Sequence, residues 1–266
     1  MSQVPVSPQE VKSCCVDLYS NDLAKLLVGE SFHPGGVELT ERLGRLLELG
    51  PQHRVLDVAA GLGTSAIHLA QRFSCRVIGV DLSSANVERA TAAAEAAGVA
   101  HLVSFEIGDA EGLPFPPASF DAVVCECAFC TFPDKPTAAL EMTRVLRQGG
   151  MVGISDLTRN GDLPPELQGI LAWVACVGDA GPVDTYRTHL TQAGLRSVVV
   201  ENHDQALVEM VEGIRLKLMA ASLMVALKKV EWPGGDWKTA RDMAASALRE
   251  VRQGHLGYSI LVAIKA

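Results

Sequence analysis

The feature that most constrains the fold is a regular alternation of strand-like and helix-like segments in the middle of the chain. Short apolar runs alternate with longer segments whose apolar residues recur at helical spacing. Alternation of this kind predicts a mostly parallel sheet with helices on both faces, and right-handed crossovers restrict it to a doubly wound α/β fold. The five strands predicted in this part are HRVLDVAA, CRVIGVDLS, VSFEIGD, FDAVVCEC and MVGISDL.

The two ends of the chain are expected to join the same domain. RSVVVE is a predicted sixth strand, and the final GYSILVAIKA is a predicted closing strand that returns to the sheet, which makes seven strands. We therefore expect one domain over residues 1–266, with a helical lid at 1–49, a cofactor-binding core at 50–160 and an acceptor side at 161–266. The helices predicted outside the core lie at residues 9–29, 36–49, 204–229 and 236–253. Within the core, KPTAALEMTRVLRQGG is predicted to be a helix that its glycines end.

The composition disfavours several classes of protein. The 266 residues carry a net charge of −8, and 48% of them are hydrophobic. An acidic balance disfavours nucleic-acid and anionic-membrane partners, because both attract basic surfaces. The start of the chain lacks the pattern of a secretory signal, and no apolar run approaches the roughly 18 residues of a membrane span. We therefore expect a cytoplasmic protein without nucleic-acid or membrane partners.

Acidic side chains follow three consecutive predicted strands. In VLDVAAGLGTSA, Asp57 ends the first strand, and Gly61 and Gly63 form a turn before a helix; Asp81 and Asp109 end the next two strands. In a doubly wound sheet the ligand lies beyond these strand ends. A row of acids repels phosphate and favours a ligand with a ribose and a cationic group, which S-adenosylmethionine has. Each aspartate alone is also compatible with a helix cap, Asp81 for a helix starting near Ser84.

Residues 53–156 resemble the core of the class I S-adenosylmethionine-dependent methyltransferases. The resemblance implies a Rossmann-like fold and methyl transfer from S-adenosylmethionine. One position departs from the usual Asp-x-Gly-x-Gly-x-Gly loop, because its first glycine is Ala59 here. The positions that the resemblance assigns to cofactor binding are Asp57, Ala59, Gly61, Gly63, Asp81, Leu82, Asp109 and Ala110.

The cysteine-rich stretch CECAFCTFPDK resembles a segment of the arsenite methyltransferases. In that family a cysteine precedes a short apolar loop and Pro-Asp-Lys, as Cys127 does here, and a second cysteine follows a tryptophan, as Cys176 does in WVAC. The resemblance implies that Cys127 and Cys176 hold trivalent arsenic, with Cys130 or Cys15 as a candidate third ligand. Cys14 and Cys15 are the upstream candidates for a redox or ligand role.

Thiol chemistry is consistent with such an acceptor. Seven cysteines in a reducing compartment stay thiols, and thiolates select soft ions such as trivalent arsenic. A thiolate-bound arsenic keeps a lone pair that can attack the sulfonium methyl group, and the enzyme contributes mainly alignment. Attack oxidises the arsenic to the pentavalent state, so an external thiol reductant is expected to complete the cycle. Arsenite methylation is therefore the leading hypothesis.

Two other functions remain open from the sequence. The first is methylation of a carbon, oxygen or nitrogen atom of a small apolar metabolite, which needs a general base; Glu126, His33 and Asp156 are the candidates. The second is a zinc site, although structural zinc usually requires two cysteine pairs or added histidines. Cys75 and Cys125 are expected to be buried as small hydrophobic residues. The zinc hypothesis would use Cys125, Cys127, Cys130 and Cys176.

Overall fold

The computed structural model describes residues 33–167, 177–226 and 237–266. Seven strands form one sheet in the order β3-β2-β1-β4-β5-β7-β6. Strands β1 to β5 are parallel to one another, whereas β7 lies antiparallel between β5 and β6. The strands are β1 Arg54–Val58, β2 Arg76–Asp81, β3 Val103–Ile107, β4 Phe120–Glu126, β5 Leu146–Arg159, β6 Leu195–Asn202 and β7 Leu256–Lys265.

Seven α-helices in the described ranges accompany the sheet. This arrangement confirms the predicted mostly parallel, seven-stranded α/β fold, including the terminal strand that returns to the sheet. The helix predicted at residues 9–29 lies outside the described residues. The helices are α1 Gly36–Leu46, α2 Thr64–Phe73, α3 Ser84–Ala96, α4 Lys135–Val145, α5 Val183–Gln192, α6 Asp204–Ala226 and α7 Trp237–Arg252.

The boundary between α4 and β5 differs from the prediction. The glycines of LRQGG were expected to end a helix, but α4 ends at Val145 and β5 begins at Leu146. Leu146 pairs with Phe120, and the register of β4 and β5 then shifts before Ala122 pairs with Met151. Pairing of Leu146 with β4 therefore outweighs the helical pattern. Gly149 and Gly150 lie in the irregular first part of β5.

The core lies on both faces of the central strands. The run FDAVVCE in β4 is buried from Ala122 to Cys125, as expected for a parallel strand covered on both sides. Helix α1 packs directly on β5, because a Cβ atom at Gly153 would lie only 2.6 Å from Cδ1 of Leu43. Burial of one large apolar side chain contributes about 1.5–3 kcal/mol. Within the described ranges, no helix combines the length and apolar character that crossing a bilayer demands.

The sheet order fixes where a ligand can bind. The chain passes outward from β1 through β2 to β3, then returns to the other side of β1 as β4. The helices that follow β1 and β4 diverge at this switch point, and the crevice outside the carboxyl ends of the strands is where doubly wound proteins bind ligands. Asp57 on β1 and Val124 on β4 are register partners at this point.

Candidate active site

The loop between β1 and α2 turns sharply because three of its residues have left-handed backbone conformations. Ala59, Gly61 and Gly63 have φ angles of 60°, 55° and 78°. The N–H of Ala60 donates to the carbonyl oxygen of Val80 at 2.9 Å, which ties the loop to β2. The loop thus directs the N-terminus of α2 toward the carboxyl edge of the sheet.

The glycines of this loop meet different requirements. A Cβ atom at Gly63 would lie 2.5 Å from the ring of Phe105, whereas one at Gly61 would meet nothing within 4 Å. Gly63 therefore permits close packing against β3, and Gly61 leaves its outer side open to a ligand. Ala59, which replaces the first glycine of the family pattern, is half-buried and keeps the left-handed conformation, at a cost of about 1–2 kcal/mol.

Asp81 organises the backbone around the end of β2. Its Oδ2 accepts from the N–H of Gly61 at 2.8 Å, and its Oδ1 accepts from the N–H of Ser83 at 2.9 Å and the side-chain amide of Asn86 at 3.2 Å. The helix cap that the sequence allowed Asp81 to form belongs to Ser83, whose hydroxyl accepts from the N–H of Asn86. Asp81 is left half-buried, facing the glycine loop, where a carboxylate can accept ribose hydroxyls.

Asp57 is the most deeply buried acid at this edge. Its side chain is 2% exposed, and its Oδ2 has no hydrogen-bond partner in the described ranges. Burial raises the pKa of this carboxyl well above its usual value, and the charges of Glu126 and Asp81 raise it further, while a hydrogen bond from the N–H of Ala66 lowers it. A buried carboxyl with an unpaired oxygen suits a cationic donor such as an ammonium group.

The third acid of the predicted row follows β3. Asp109 accepts from the N–H of Glu111 at 3.0 Å and forms an isolated bridge with Gly112. Ala110 beside it is buried, whereas Leu82, which follows Asp81, is 42% exposed despite its apolar side chain. An exposed leucine beside these acids offers an apolar surface for a flat base. The residues therefore fit the parts of S-adenosylmethionine: ammonium, ribose and adenine.

Cys127 is the predicted site cysteine that follows β4. It follows the last strand residue, Glu126, and has a φ angle of 52°, a left-handed conformation that non-glycine residues rarely adopt. Its N–H donates to the carbonyl oxygen of Ser155 at 2.7 Å, and the residue is only partly buried. This backbone arrangement extends the contact of β4 with β5 and places Cys127 at the carboxyl edge of the sheet.

The other described cysteines belong to the core. Cys75, Cys125 and Cys130 are fully buried. Burial raises the pKa of Cys75 to about 11, and burial together with the nearby charges of Asp156 and Asp57 raises that of Cys125 well above its usual value. Both therefore stay protonated thiols. Among the residues that the structure describes, no three His, Cys, Asp or Glu side chains are grouped to hold a metal ion.

Three of the predicted cysteines fall outside the described residues. These are Cys14 and Cys15, near the start of the chain, and Cys176, the expected partner of Cys127. Convergence of Cys127 and Cys176 on one arsenic atom stays a prediction, as does a third ligand from Cys15. Cys130 is fully buried, so it offers an acceptor less access than Cys127 does.

Two of the three candidate bases meet in a buried polar network. His33 Nε2 lies 3.7 Å from Oε2 of Glu126, and the hydroxyl of Thr40 donates to the same oxygen at 2.8 Å. On the other side, the hydroxyl of Ser155 donates to Glu126 Oε1 at 3.0 Å, and that of Tyr258 donates to Ser155 at 3.1 Å. Thr40, Ser155 and Tyr258 were not singled out from the sequence, because no local pattern links positions so far apart.

The third candidate base has a structural role. Asp156 is fully buried, and its two oxygens accept from the N–H groups of Leu157 at 2.8 Å and Cys130 at 2.7 Å. The second bond fixes the short 3₁₀ turn Phe129–Thr131 that follows β4. Asp156 therefore shapes the loop beside Cys127, and the general-base candidates reduce to His33 and Glu126.

Comparisons with known proteins agree with this geometry. A family model described as "Methyltransferase domain" matches residues 55–150. The chain is 34% identical over 203 residues to 27-O-demethylrifamycin SV methyltransferase of Amycolatopsis mediterranei (strain S699), a match that covers 69% of this chain and 73% of that protein. The fold is thus that of a Rossmann-like methyltransferase. The chain belongs to the S-adenosylmethionine-dependent methyltransferases, and S-adenosylmethionine is its methyl donor.

Solved structures show how widely this fold is used. Phosphoethanolamine N-methyltransferase 2 of Haemonchus contortus superposes with a TM-score of 0.81 at 20% identity, over 98% of this chain and 60% of that one. The [4+2]-cyclase SpnF superposes with a TM-score of 0.76 at 22% identity, over 99% of both chains. The chain also spans only 29% to 61% of the length of seven further curated relatives. The fold therefore does not identify the acceptor.

Proposed function

We propose that this methyltransferase acts on a small organic molecule through an oxygen or nitrogen atom. The proposal rests on two acids, Asp57 and Glu126, that lie close together at the switch point. The oxygen of Asp57 that has no partner among the described residues marks the cofactor side. Glu126, at the end of the adjoining strand β4, acts on Asp57 through its charge and belongs to a network with His33. A cofactor held by Asp57 and Asp81 thus has a candidate proton acceptor beside it.

Relatives support a small-molecule acceptor. The relative from Amycolatopsis mediterranei is named for 27-O-demethylrifamycin SV, and its match of 203 residues is longer than the domain at 55–150. Likeness to that relative therefore extends beyond the matched methyltransferase domain.

The chain's own residues contribute binding and alignment. When bound, S-adenosylmethionine supplies a methyl group made electrophilic by the adjacent sulfonium. We assign Asp57 to the ammonium group, Asp81 to the ribose hydroxyls, and Leu82 to the adenine. The burial of Asp57 and Glu126 keeps water away from the charges that orient the donor, and alignment of donor and acceptor accounts for much of such catalysis.

The second candidate function is methylation of a trivalent metalloid, arsenite first. The observation that favours it is the position of Cys127, a partly exposed thiol at the carboxyl end of β4. A soft thiolate there would hold arsenic beside the sulfonium. This function needs Cys176, with Cys14, Cys15 or Cys130 as further thiols, and an external thiol reductant.

Transfer of labelled methyl groups separates the two candidates. The purified protein is incubated with methyl-labelled S-adenosylmethionine and, separately, with catechol, with sarcosine, or with arsenite and glutathione. We expect label in a methylated organic product. Arsenite-dependent label that Cys127→Ser abolishes, with none in catechol or sarcosine, would favour the metalloid function instead. Cys75→Ser serves as the matched control, because Cys75 lies in the core away from the site.

A further inference from the structure

The turn after β3 is held together by Asp109. Its Oδ1 accepts from the N–H of Glu111 at 3.0 Å, and its backbone carbonyl oxygen accepts from the N–H of Gly112, also at 3.0 Å. The turn therefore fixes the backbone of Glu111 relative to Asp109, the acid that follows β3 in the cofactor site. A ligand that binds Asp109 stabilises this turn, and the position of the Glu111 side chain with it.

The side chain of Glu111 reaches the start of helix α4. Its Oε1 accepts from the N–H of Asp134 at 2.8 Å, a contact between residues 23 positions apart in the chain. Asp134 is the N-cap of α4, since its Oδ1 accepts from the N–H of Thr137 at 3.0 Å. The bond from Asp134 to Glu111 therefore fixes the point at which the segment after β4 ends and the helix begins.

The acceptor loop, residues 127–134, connects β4 with α4. Lys135, directly after the loop, donates from Nζ to the carbonyl oxygen of Phe132 at 3.1 Å and forms an ion pair with Asp179. Phe132 packs edge-on against Phe129, with ring centroids 5.8 Å apart. The end of the loop is thus the place where the turn after β3 meets side chains that follow β5.

The middle of the acceptor loop has a separate attachment. The N–H of Cys130 donates to Oδ2 of Asp156 at 2.7 Å, and Asp156 is fully buried in β5. This bond joins the loop to the sheet and does not involve the turn after β3. A change in that turn should therefore reach the end of the loop, where Asp134 lies, and leave Cys130 as it was.

Further bonds join the segment after the turn to the body of α4. The N–H of Leu113 donates to Oε2 of Glu141 at 2.8 Å, and the guanidinium of Arg144 donates to the carbonyl oxygens of Leu113 and Phe115 at 3.0 Å and 2.7 Å. These bonds hold α4 alongside the segment but lie away from the acceptor loop. Among these contacts, the bond to Glu111 is the one that acts at the end of the loop.

We propose that Glu111 is a positioning residue that couples binding of the cofactor at Asp109 to the order of the acceptor loop. The inference deepens the proposed function and rests on its placement of S-adenosylmethionine at the ends of β1 to β3. The cofactor favours the conformation in which the turn is formed, and the bond from Asp134 to Glu111 extends that preference to the loop. The acceptor side of the site is therefore completed once the donor is in place.

Amide hydrogen exchange measured by NMR tests the coupling, with S-adenosylhomocysteine as the probe. The N–H groups of Thr131 and Phe132 donate within the loop, and that of Asp134 donates to Glu111. In the wild type we expect saturating S-adenosylhomocysteine to slow exchange at these amides by about fivefold, the low end of typical coupling between two sites, because Asp134 is exposed. The amide of Cys130 is the internal reference and should not change.

Two variants of Glu111 separate coupling from a purely structural role. Glu111→Ala removes the acceptor oxygen, so it should bind S-adenosylhomocysteine by calorimetry but lose the ligand-dependent slowing at Thr131 and Phe132. Glu111→Gln keeps a carbonyl oxygen for the N–H of Asp134 and should retain the slowing. Glu106→Ala, at an exposed acid on β3, is the matched control and should behave as the wild type does. Thermal unfolding checks the fold of each variant, and Glu111→Ser replaces Glu111→Ala if the latter does not fold.

The outcomes separate the inference from the function beneath it. If the wild type binds S-adenosylhomocysteine and its loop amides do not slow, or if Glu111→Ala keeps the wild-type slowing, the inference is wrong and the placement of the cofactor stands. Exchange that is faster in Glu111→Ala by the same factor with and without ligand would also overturn it, because that pattern reports a structural bond only. If the wild type does not bind S-adenosylhomocysteine, the proposed function and the inference fail together.

Discussion

The two halves of the carboxyl edge are built in different ways. On the cofactor half, Asp57 lies near the end of β1, Asp81 is the last residue of β2 and Asp109 follows β3, and a short glycine loop comes after β1. On the acceptor half, at the ends of β4 and β5, the polar network joins residues that are far apart in the chain. Thr40 and Glu126 are separated by 86 positions, and Ser155 and Tyr258 by 103 positions. The cofactor half is therefore built mainly from strand ends and a short turn, whereas the acceptor half forms only when the whole sheet has formed.

The electrostatics of the halves differ as well. Backbone N–H groups of Gly61 and Ser83 donate to Asp81, whereas Oδ2 of Asp57 has no hydrogen-bond partner in the part of the chain that the structure describes. Glu126, in contrast, receives side-chain hydroxyl donors at both oxygens. The cofactor half thus presents acids that a cationic ligand completes, whereas the acceptor half is a closed network of hydroxyl groups around Glu126.

The largest expected effect tests whether the cofactor half depends on its backbone. In Gly63→Ala the new Cβ would lie 2.5 Å from the Phe105 ring, at a φ angle of 78°. Left-handed strain of about 1–2 kcal/mol and overpacking of about 1–3 kcal/mol predict a loss of stability of about 2–5 kcal/mol, with weakened cofactor binding.

Urea unfolding followed by circular dichroism measures this change. Gly50→Ala is the matched control, because a Cβ at Gly50 meets nothing within 4 Å and its backbone is not left-handed. Equal stability of the two variants would show that the glycine loop tolerates side chains, and would remove the contrast between the halves.

The second prediction concerns the link between Asp81 and the ribose. Asp81→Ala removes the charged acceptor, and loss of such a hydrogen bond costs about 1.5–3 kcal/mol. We expect S-adenosylmethionine to bind about 10-fold to 150-fold more weakly by calorimetry. Glu88→Ala, an exposed acid on the neighbouring helix α3, should bind as the wild type does; the same affinity in Asp81→Ala would refute the assignment.

The smallest effect is a pH dependence set by Asp57. Its pKa is raised in the folded protein, so it keeps its proton to higher pH than an exposed aspartate does. A cationic ligand favours the ionised form, so binding of S-adenosylmethionine should release a proton and strengthen as pH rises through the raised pKa. Calorimetry in two buffers of different ionisation enthalpy measures this release, and Asp57→Asn should abolish it.

The raised pKa of Asp57 also has a consequence for stability without the cofactor. For an acid with a raised folded pKa, the contribution to the free energy of unfolding is fully present below the unfolded pKa and is lost as pH rises through the folded one. The loss is about 1.4 kcal/mol for each pH unit that separates the folded pKa from the unfolded pKa. Asp57→Asn should therefore unfold at higher urea than the wild type at pH 8 and not at pH 4. A gap that is the same at both pH values would contradict the raised pKa.

The sequence predicted the cofactor half because each of its signals is local. Within a dozen residues the sequence shows a buried strand, an acid, glycines and the start of a helix. It could not assign the cap near Ser84, because both Asp81 and Ser83 are common capping residues, and only the structure shows Ser83 as the cap.

The acceptor half was predicted only in part for the opposite reason. Glu126 and His33 were candidate bases, but their proximity depends on how α1 packs on β5. The periodicity of the sequence does not indicate how these two elements pack. Asp156 has the same residue type as the site acids, and only its two backbone partners reveal a structural role. The start of β5 was misplaced because Leu146 pairs with Phe120 across the sheet, a contact that outweighs the helical pattern.

The most direct test of the account is a kinetic comparison of Asp81→Ala and Glu126→Gln on one acceptor that the wild type methylates. If one half holds the cofactor and the other serves the acceptor, Asp81→Ala should raise KM for S-adenosylmethionine and keep most of kcat. Glu126→Gln should keep that KM and lower kcat, because it disturbs the acceptor half alone. The reverse pattern, or equal changes in both constants for both variants, would contradict the division of the site.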